Sequence, residues 1–145
     1  MVTSLAQAHA AVRLPASAPA PLPMPRFRAV RGAITVDADD PALIEAAVRE
    51  LLVELTTLNA LTPDAVVSAL FSATPDLRSR PPAAAARAMG WDHVPMLCIA
   101  EMDVDGSLPR CIRVLLHVSV DDGRRMRPVY LRAARSLRPD LVGDA

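Results

Sequence analysis

The run from Arg110 to Val120 limits the possible folds more than any other stretch, because it is a long apolar strand with a cation inside it. Under strand alternation Ile112, Val114, Leu116 and Val118 share one face, and Cys111, Arg113, Leu115 and His117 share the other. The first face is core. The second is mixed, and a guanidinium is costly to bury unless it is paired or meets an anion. That face must therefore be a site, an interface, or both. Upstream, Val94 to Glu101 reads as a second apolar strand that closes on a carboxylate, and Asp103 to Pro109 is the polar loop between the two. Cys98 and Glu101 fall on opposite faces of the upstream strand. If both serve one site, that strand must bend or end near Ala100.

A sheet with one apolar face needs a cover, and the sequence supplies it. Asp40 is placed to cap a helix that has Pro41 in its first turn. Leu43, Ile44, Ala47, Val48, Leu51, Leu52 and Leu55 then recur at helical spacing as far as Leu58. Arg26 to Val36 is a strand before this helix, with Arg31-Gly32 in its middle. Thr62-Pro63-Asp64 opens a short helical turn, and Val66 to Ala73 is a strand apolar enough to be central. Pro81 to Met89 is a short alanine-rich helix stopped by Gly90. Trp91 is expected to fasten it to the core. Asp121 to Arg127 is a charged linker, Val129 to Ala134 a fifth strand, and Leu137 to Leu141 a tail segment. The order β-α-β-α-β-β-β predicts an α+β domain, a mixed sheet with helices on one face.

Composition removes several function classes. The 145 residues suit one domain, and a formal net charge of +0 argues against binding nucleic acid or a membrane surface by bulk charge. All 16 basic residues are arginine, so there is no lysine for a Schiff base, and every cation is a planar fork suited to carboxylates. His9, His93 and His117 form no ligand pattern with Cys98 and Cys111, so no metal site is implied. Two cysteines are too few for a disulfide framework, which points to reduced thiols in the cytoplasm. No apolar run reaches the roughly 18 residues of a membrane span.

Residues 1–25 stand apart. Five of the 14 prolines fall between Pro15 and Pro25, among alanines and serines, and the first acidic residue is Asp37. This reads as a disordered Pro/Ala-rich extension. Its basic, acid-free character is loosely that of a transit peptide, and Met24 offers an alternative start just before the folded part. The domain is expected over 26–141, with 142–145 a C-terminal tail.

Within that domain a set of strings occurs in order: Arg31-Gly-Ala-Ile-Thr-Val, Ser72-Ala-Thr-Pro-Asp-Leu, Gly90-Trp, Val94-Pro, Cys98 with Glu101-Met-Asp-Val, Cys111-Ile-Arg-Val, Val129-Tyr-Leu and Leu137-Arg-Pro-Asp-Leu. Together they resemble the AroH-type monofunctional chorismate mutases, from about Phe27 to Leu141. The resemblance implies a homotrimer with a pseudo-α/β-barrel core and active sites in clefts between adjacent subunits. It implies the rearrangement of chorismate to prephenate without metal or cofactor. By the same resemblance Arg113 is the cation beside the breaking ether bond. Glu101 is the carboxylate that accepts from the substrate hydroxyl, standing across the substrate from Arg113 instead of pairing with it. Cys98 contacts that hydroxyl. Arg31 and Tyr130 bind substrate carboxylate, and Arg138 is a mobile cation closing over the pocket. Ala83, Ala84, Arg87, Met96 and Leu97 are the remaining substrate-binding positions.

The sequence also departs from that pattern. Relatives usually carry Phe-Pro-Ala-Lys-Ala where this chain has Pro81-Pro-Ala-Ala-Ala. An aromatic wall becomes Pro81 and a lysine becomes Ala84. Arg80 and Arg87, four before and three after Ala84, are the candidates to replace its charge. His117, on the mixed strand face, is expected at a subunit interface. The rival reading is a non-catalytic relative of the same trimeric fold that binds a small carboxylate.

Overall fold

The computed structural model describes residues 25–142. The expected N-terminal extension and C-terminal tail lie outside that range, apart from Pro25 and Val142. Five strands, β1 (Arg26–Thr35), β2 (Val66–Ala73), β3 (Met96–Ala100), β4 (Cys111–Val120) and β5 (Val129–Leu131), form one sheet in the order β3-β2-β4-β1-β5. β4 lies in the middle and runs antiparallel to β1 and β2. β3 pairs parallel with β2, and β5 parallel with β1, so the sheet is mixed.

Helices α1 (Pro41–Leu58) and α2 (Pro82–Ala88) pack against each other and cover one face. The Asp40 carboxylate accepts from the amides of Ala42 and Leu43 at 2.9 and 3.0 Å, which fixes where α1 starts. Ile44, Ala47, Val48, Leu51, Leu52 and Leu55 of α1 are buried on Val30, Ile34, Ile112, Val114 and Leu116 of the sheet. Gly32 allows the close approach: a Cβ there would lie 2.7 Å from Leu55 Cδ1. Asn59 fastens the far end of α1. Its side chain donates to Leu55 O and Arg127 O, both at 2.9 Å, and accepts from Arg127 N at 2.7 Å. Trp91, buried after α2, belongs to the same core.

The last strand is shorter than expected. β5 ends at Leu131, and Arg132–Leu137 is a 3-10 helix where a strand to Ala134 was anticipated. Arg132 adopts a left-handed φ of 54°, which breaks the extended run and turns the chain over the second sheet face. Ala134 is buried there on Ala33 and Cys111, so one corner of that face is covered. A short α3 (Pro139–Val142) follows. The remainder of the face is open. Phe27, Leu97 and Ile99 project from it with 67%, 63% and 54% exposure. Edge strand β3 is exposed over four of its five residues.

Candidate functional site

The register of the sheet assembles a cleft on the open face. β4 sets Arg113 between Ala33 of β1 and Ser72 of β2. Arg31 stands one pair further along, opposite Leu115, and β5 sets Tyr130 beside Ala33. The 3-10 helix then brings Leu137 and Arg138 back over the same place. With Leu70, Leu115 and Ile99 as apolar walls, these residues enclose a cleft of about 310 Å³. Three arginines and a phenol converge on one small, largely apolar space, an arrangement suited to a small carboxylate ligand.

Glu101 completes it. Its amide donates to Ala73 O at 3.0 Å, so the residue directly after β3 continues the ladder. Its Oε1 accepts from Ser72 Oγ and lies 3.3 Å from Arg113 Nε. The carboxylate therefore pairs directly with Arg113, where it was expected to face the cation across a gap. The cause is register: Ser72 pairs with Arg113 on one side and Ile99 on the other, and Glu101, two residues past Ile99, returns to the same face. Arg113 remains 46% exposed, so the pair is screened and contributes about 1 kcal/mol or less to stability.

Arg138 is also paired. Its Nε and Nη2 meet the two carboxylate oxygens of Asp140 at 2.9 and 2.7 Å. That fork raises the Arg138 pKa and lowers that of Asp140, and Arg31 adds to the lowering.

The other candidates lie elsewhere. β3 does not bend: Leu97, Ile99 and Glu101 alternate onto the open face, and Met96 and Cys98 onto the helix side. Cys98 Sγ accepts from Ala83 N at 3.4 Å, at the start of α2. Ala83 is buried and Ala84 half-buried in that helix, and Arg87 is exposed in its last turn. The sequence-derived set thus splits in two. Arg31, Leu97, Glu101, Arg113, Tyr130 and Arg138 share the open face, and Met96, Cys98, Ala83, Ala84 and Arg87 gather on the helix side.

Arg80 does not lie on the face of α2, because that helix starts at Pro82. It pairs with Glu45 of α1 at 2.9 Å. Arg87 has no ion pair among the described residues.

The family model described as chorismate mutase type I matches residues 27–141, from β1 to α3. This chain belongs to the type I chorismate mutase family. It is 47% identical over 116 residues to "Chorismate mutase AroH" of Thermus thermophilus, covering 79% of this chain and 95% of that protein. To "Chorismate mutase AroH" of Bacillus subtilis (strain 168) it is 44% identical over 117 residues, covering 79% and 92%. Among solved structures, a chorismate mutase from Clostridium thermocellum superposes with a TM-score of 0.73 at 42% identity, covering 75% of this chain and 98% of that one.

Two features of this family member were not picked out from sequence. Ser72 was read as part of a strand and as the start of a resemblance string with no role of its own, yet its hydroxyl holds Glu101. Asp76 was named only within that same string, yet its carboxylate accepts from Thr74 Oγ1 at 2.5 Å and from Arg110 N at 2.8 Å, which fixes the start of β4. Both lie in Ser72-Ala-Thr-Pro-Asp, where closely spaced hydroxyls and a carboxylate were the available signal. Cys111 is fully buried under the 3-10 helix, and burial pushes its thiol pKa up. On the open face His117 Nδ1 is 2.9 Å from Ser68 Oγ. Among the described residues no helix is long and apolar enough to cross a membrane, and no group of three or more His, Cys, Asp or Glu is placed to hold a metal ion.

Proposed function

We propose that this chain is a chorismate mutase, converting chorismate to prephenate in the cytoplasm as a homotrimer. Membership of the family and the convergence of Arg31, Arg113, Arg138 and Tyr130 on one apolar-walled cleft support the reading; that convergence carries it.

The rearrangement is pericyclic. A C–O bond breaks while a C–C bond forms in the same molecule, so the chemistry needs no nucleophile and no proton carrier. The protein has two tasks: to hold a flexible dicarboxylate in its reactive shape, and to stabilise charge that separates as the ether opens. Arg31, Tyr130 and Arg138 bind carboxylate. Arg138 can exchange Asp140 for the ligand because that pair is exposed and weak. Arg113 offers its fork to the ether oxygen, where negative charge grows. Glu101 accepts from the ring hydroxyl and opposes the positive character that develops nearby.

Cys98, Ala83, Ala84, Arg87, Met96 and the Leu97 backbone supply the opposite wall from an adjacent subunit. Two observations support this division: the two sets face different sides of the sheet, and the open face carries exposed Phe27, Leu97 and Ile99. Packing three such faces around an axis yields the pseudo-barrel core. With Arg80 engaged by Glu45, Arg87 is the cation that stands in for a charge at Ala84.

The absence of a cation at Ala84 is the one observation that favours the binding-only alternative. Loss of chorismate's ultraviolet absorbance on adding purified protein tests the two. Turnover supports the enzyme. No turnover together with a thermal shift from prephenate supports the binding protein and refutes the enzyme.

A further inference from the structure

Glu101 is the first residue beyond an edge strand and begins the loop to β4, a place where a side chain has few neighbours to hold it. Its carboxylate is nonetheless only 18% exposed, with one oxygen contacted from two directions. Arg113 Nε lies 3.3 Å away as an ion pair. Ser72 Oγ, by contrast, donates a short hydrogen bond to that oxygen. Ser72 is also the cross-strand partner of Arg113, so it stands at the junction of the two charged groups that the proposed reaction uses.

We infer that Ser72 is a positioning residue that fixes the Glu101 carboxylate beside Arg113. This rests on the reaction proposed above. A serine has one proton to donate, and here Glu101 takes it. Ser72 lines the cleft but has no donor left for a ligand. Its effect is exerted through Glu101. Without the hydroxyl, Arg113 is the one side chain among the described residues left on the carboxylate. Glu101 then either closes onto the guanidinium as a fork-to-fork pair or swings to solvent with its loop. Either outcome removes a charge from where the transition state needs it, and the first also occupies the fork meant for the ether oxygen. Binding of the substrate carboxylates by Arg31 and Tyr130 is untouched, so the loss falls on kcat.

The test compares wild type, Ser72→Ala, Ser72→Thr, Glu101→Ala and the double variant Ser72→Ala with Glu101→Ala, all by chorismate disappearance. Losing a hydrogen bond to a charged group corresponds to about a tenfold fall in kcat for Ser72→Ala, with KM within about twofold. Ser72→Thr keeps the hydroxyl and retains most of the rate. Once Glu101 is an alanine, removing Ser72 changes kcat by less than about twofold, because the group it acts through is gone. Three results overturn the inference: an unchanged kcat in Ser72→Ala, an equal loss in Ser72→Thr, or the same tenfold loss repeated in the Glu101→Ala background. The wild-type rate in this assay reports on the proposed reaction itself, and the ratios among variants report on Ser72.

Discussion

Replacing Gly32 by alanine tests how tightly the sheet and α1 are fitted together. Gly32 is not among the positive-φ glycines, so an alanine meets no backbone strain there, and the effect is purely one of space. The added carbon would lie 2.7 Å from Leu55 Cδ1, 3.0 Å from Leu51 Cδ1 and 3.3 Å from Leu55 Cγ. Carbon atoms in good contact sit about 3.5–4.0 Å apart, so Leu55 must retreat by about 1 Å. Neither leucine has free space, since both are 0% exposed in the centre of the core. Overpacking of this kind costs roughly 1–3 kcal/mol. Stiffening of the unfolded chain returns roughly 0.4–1 kcal/mol of that. The net destabilisation is therefore about 1–2 kcal/mol, which at the mid-range of the difference, about 1.3 kcal/mol, lowers Tm by roughly 4–8 °C for a folded part of this size. Calorimetry at one fixed protein concentration measures it, because the Tm of the proposed trimer depends on concentration. Leu55→Ala opens the crowded space, so adding Gly32→Ala in that background costs nothing further or restores stability. An equal fall in Tm in both backgrounds, or no fall in wild type, refutes the steric account.

Three other outcomes follow from the geometry. Arg113→Lys keeps the charge and the fold but loses the fork, so kcat falls by about 100-fold while Tm moves by only a few degrees; near-normal turnover shows that the role is misassigned. Leu97→Asp with Ile99→Asp places carboxylates on the exposed edge strand and converts the proposed trimer to monomer in sedimentation velocity, with activity lost; an intact trimer removes the open face from the interface. Cys111 gives an alkaline dependence. Its thiol pKa is raised in the fold, so its contribution is complete below the unfolded value near 9.0 and is lost as pH climbs above it towards the folded value. Urea titrations above that pH show wild type losing stability with rising pH, and Cys111→Ala showing a flatter profile; parallel slopes refute the assignment.

What the sequence made legible was what local chemistry fixes. Asp40 with Pro41 defined the start of α1 to the residue, and helical spacing of the apolar residues defined the face it buries except at Leu43, which lies in the first turn and is 41% exposed. Alternation in β4 separated core from cleft correctly, because a strand that stays straight preserves its period of two. The misreadings came from contacts between distant residues. Val129 to Ala134 has the composition of a strand, and only the pocket for Ala134 over Ala33 and Cys111 explains why the chain turns at Arg132. Arg80 looked like a cation on the face of α2 until Glu45 of α1 was seen to hold it. The pairing of Glu101 with Arg113 depends on register across β2, which no spacing within β3 or β4 reveals. The question of whether β3 bends was well posed from alternation alone, and the straight strand answered it by separating Cys98 from Glu101.

That straight strand has a genetic consequence. If the two groups of side chains are supplied to each cleft by neighbouring copies, damage is divisible. A copy carrying Arg113→Ala still offers an intact Cys98 and Arg87 wall, and a copy altered at Arg87 still offers an intact Arg113. Two alleles that are each inactive alone would then complement one another when expressed together, because some clefts in the mixed assemblies draw a sound half from each parent. Two alleles damaged on the same side of the sheet would not.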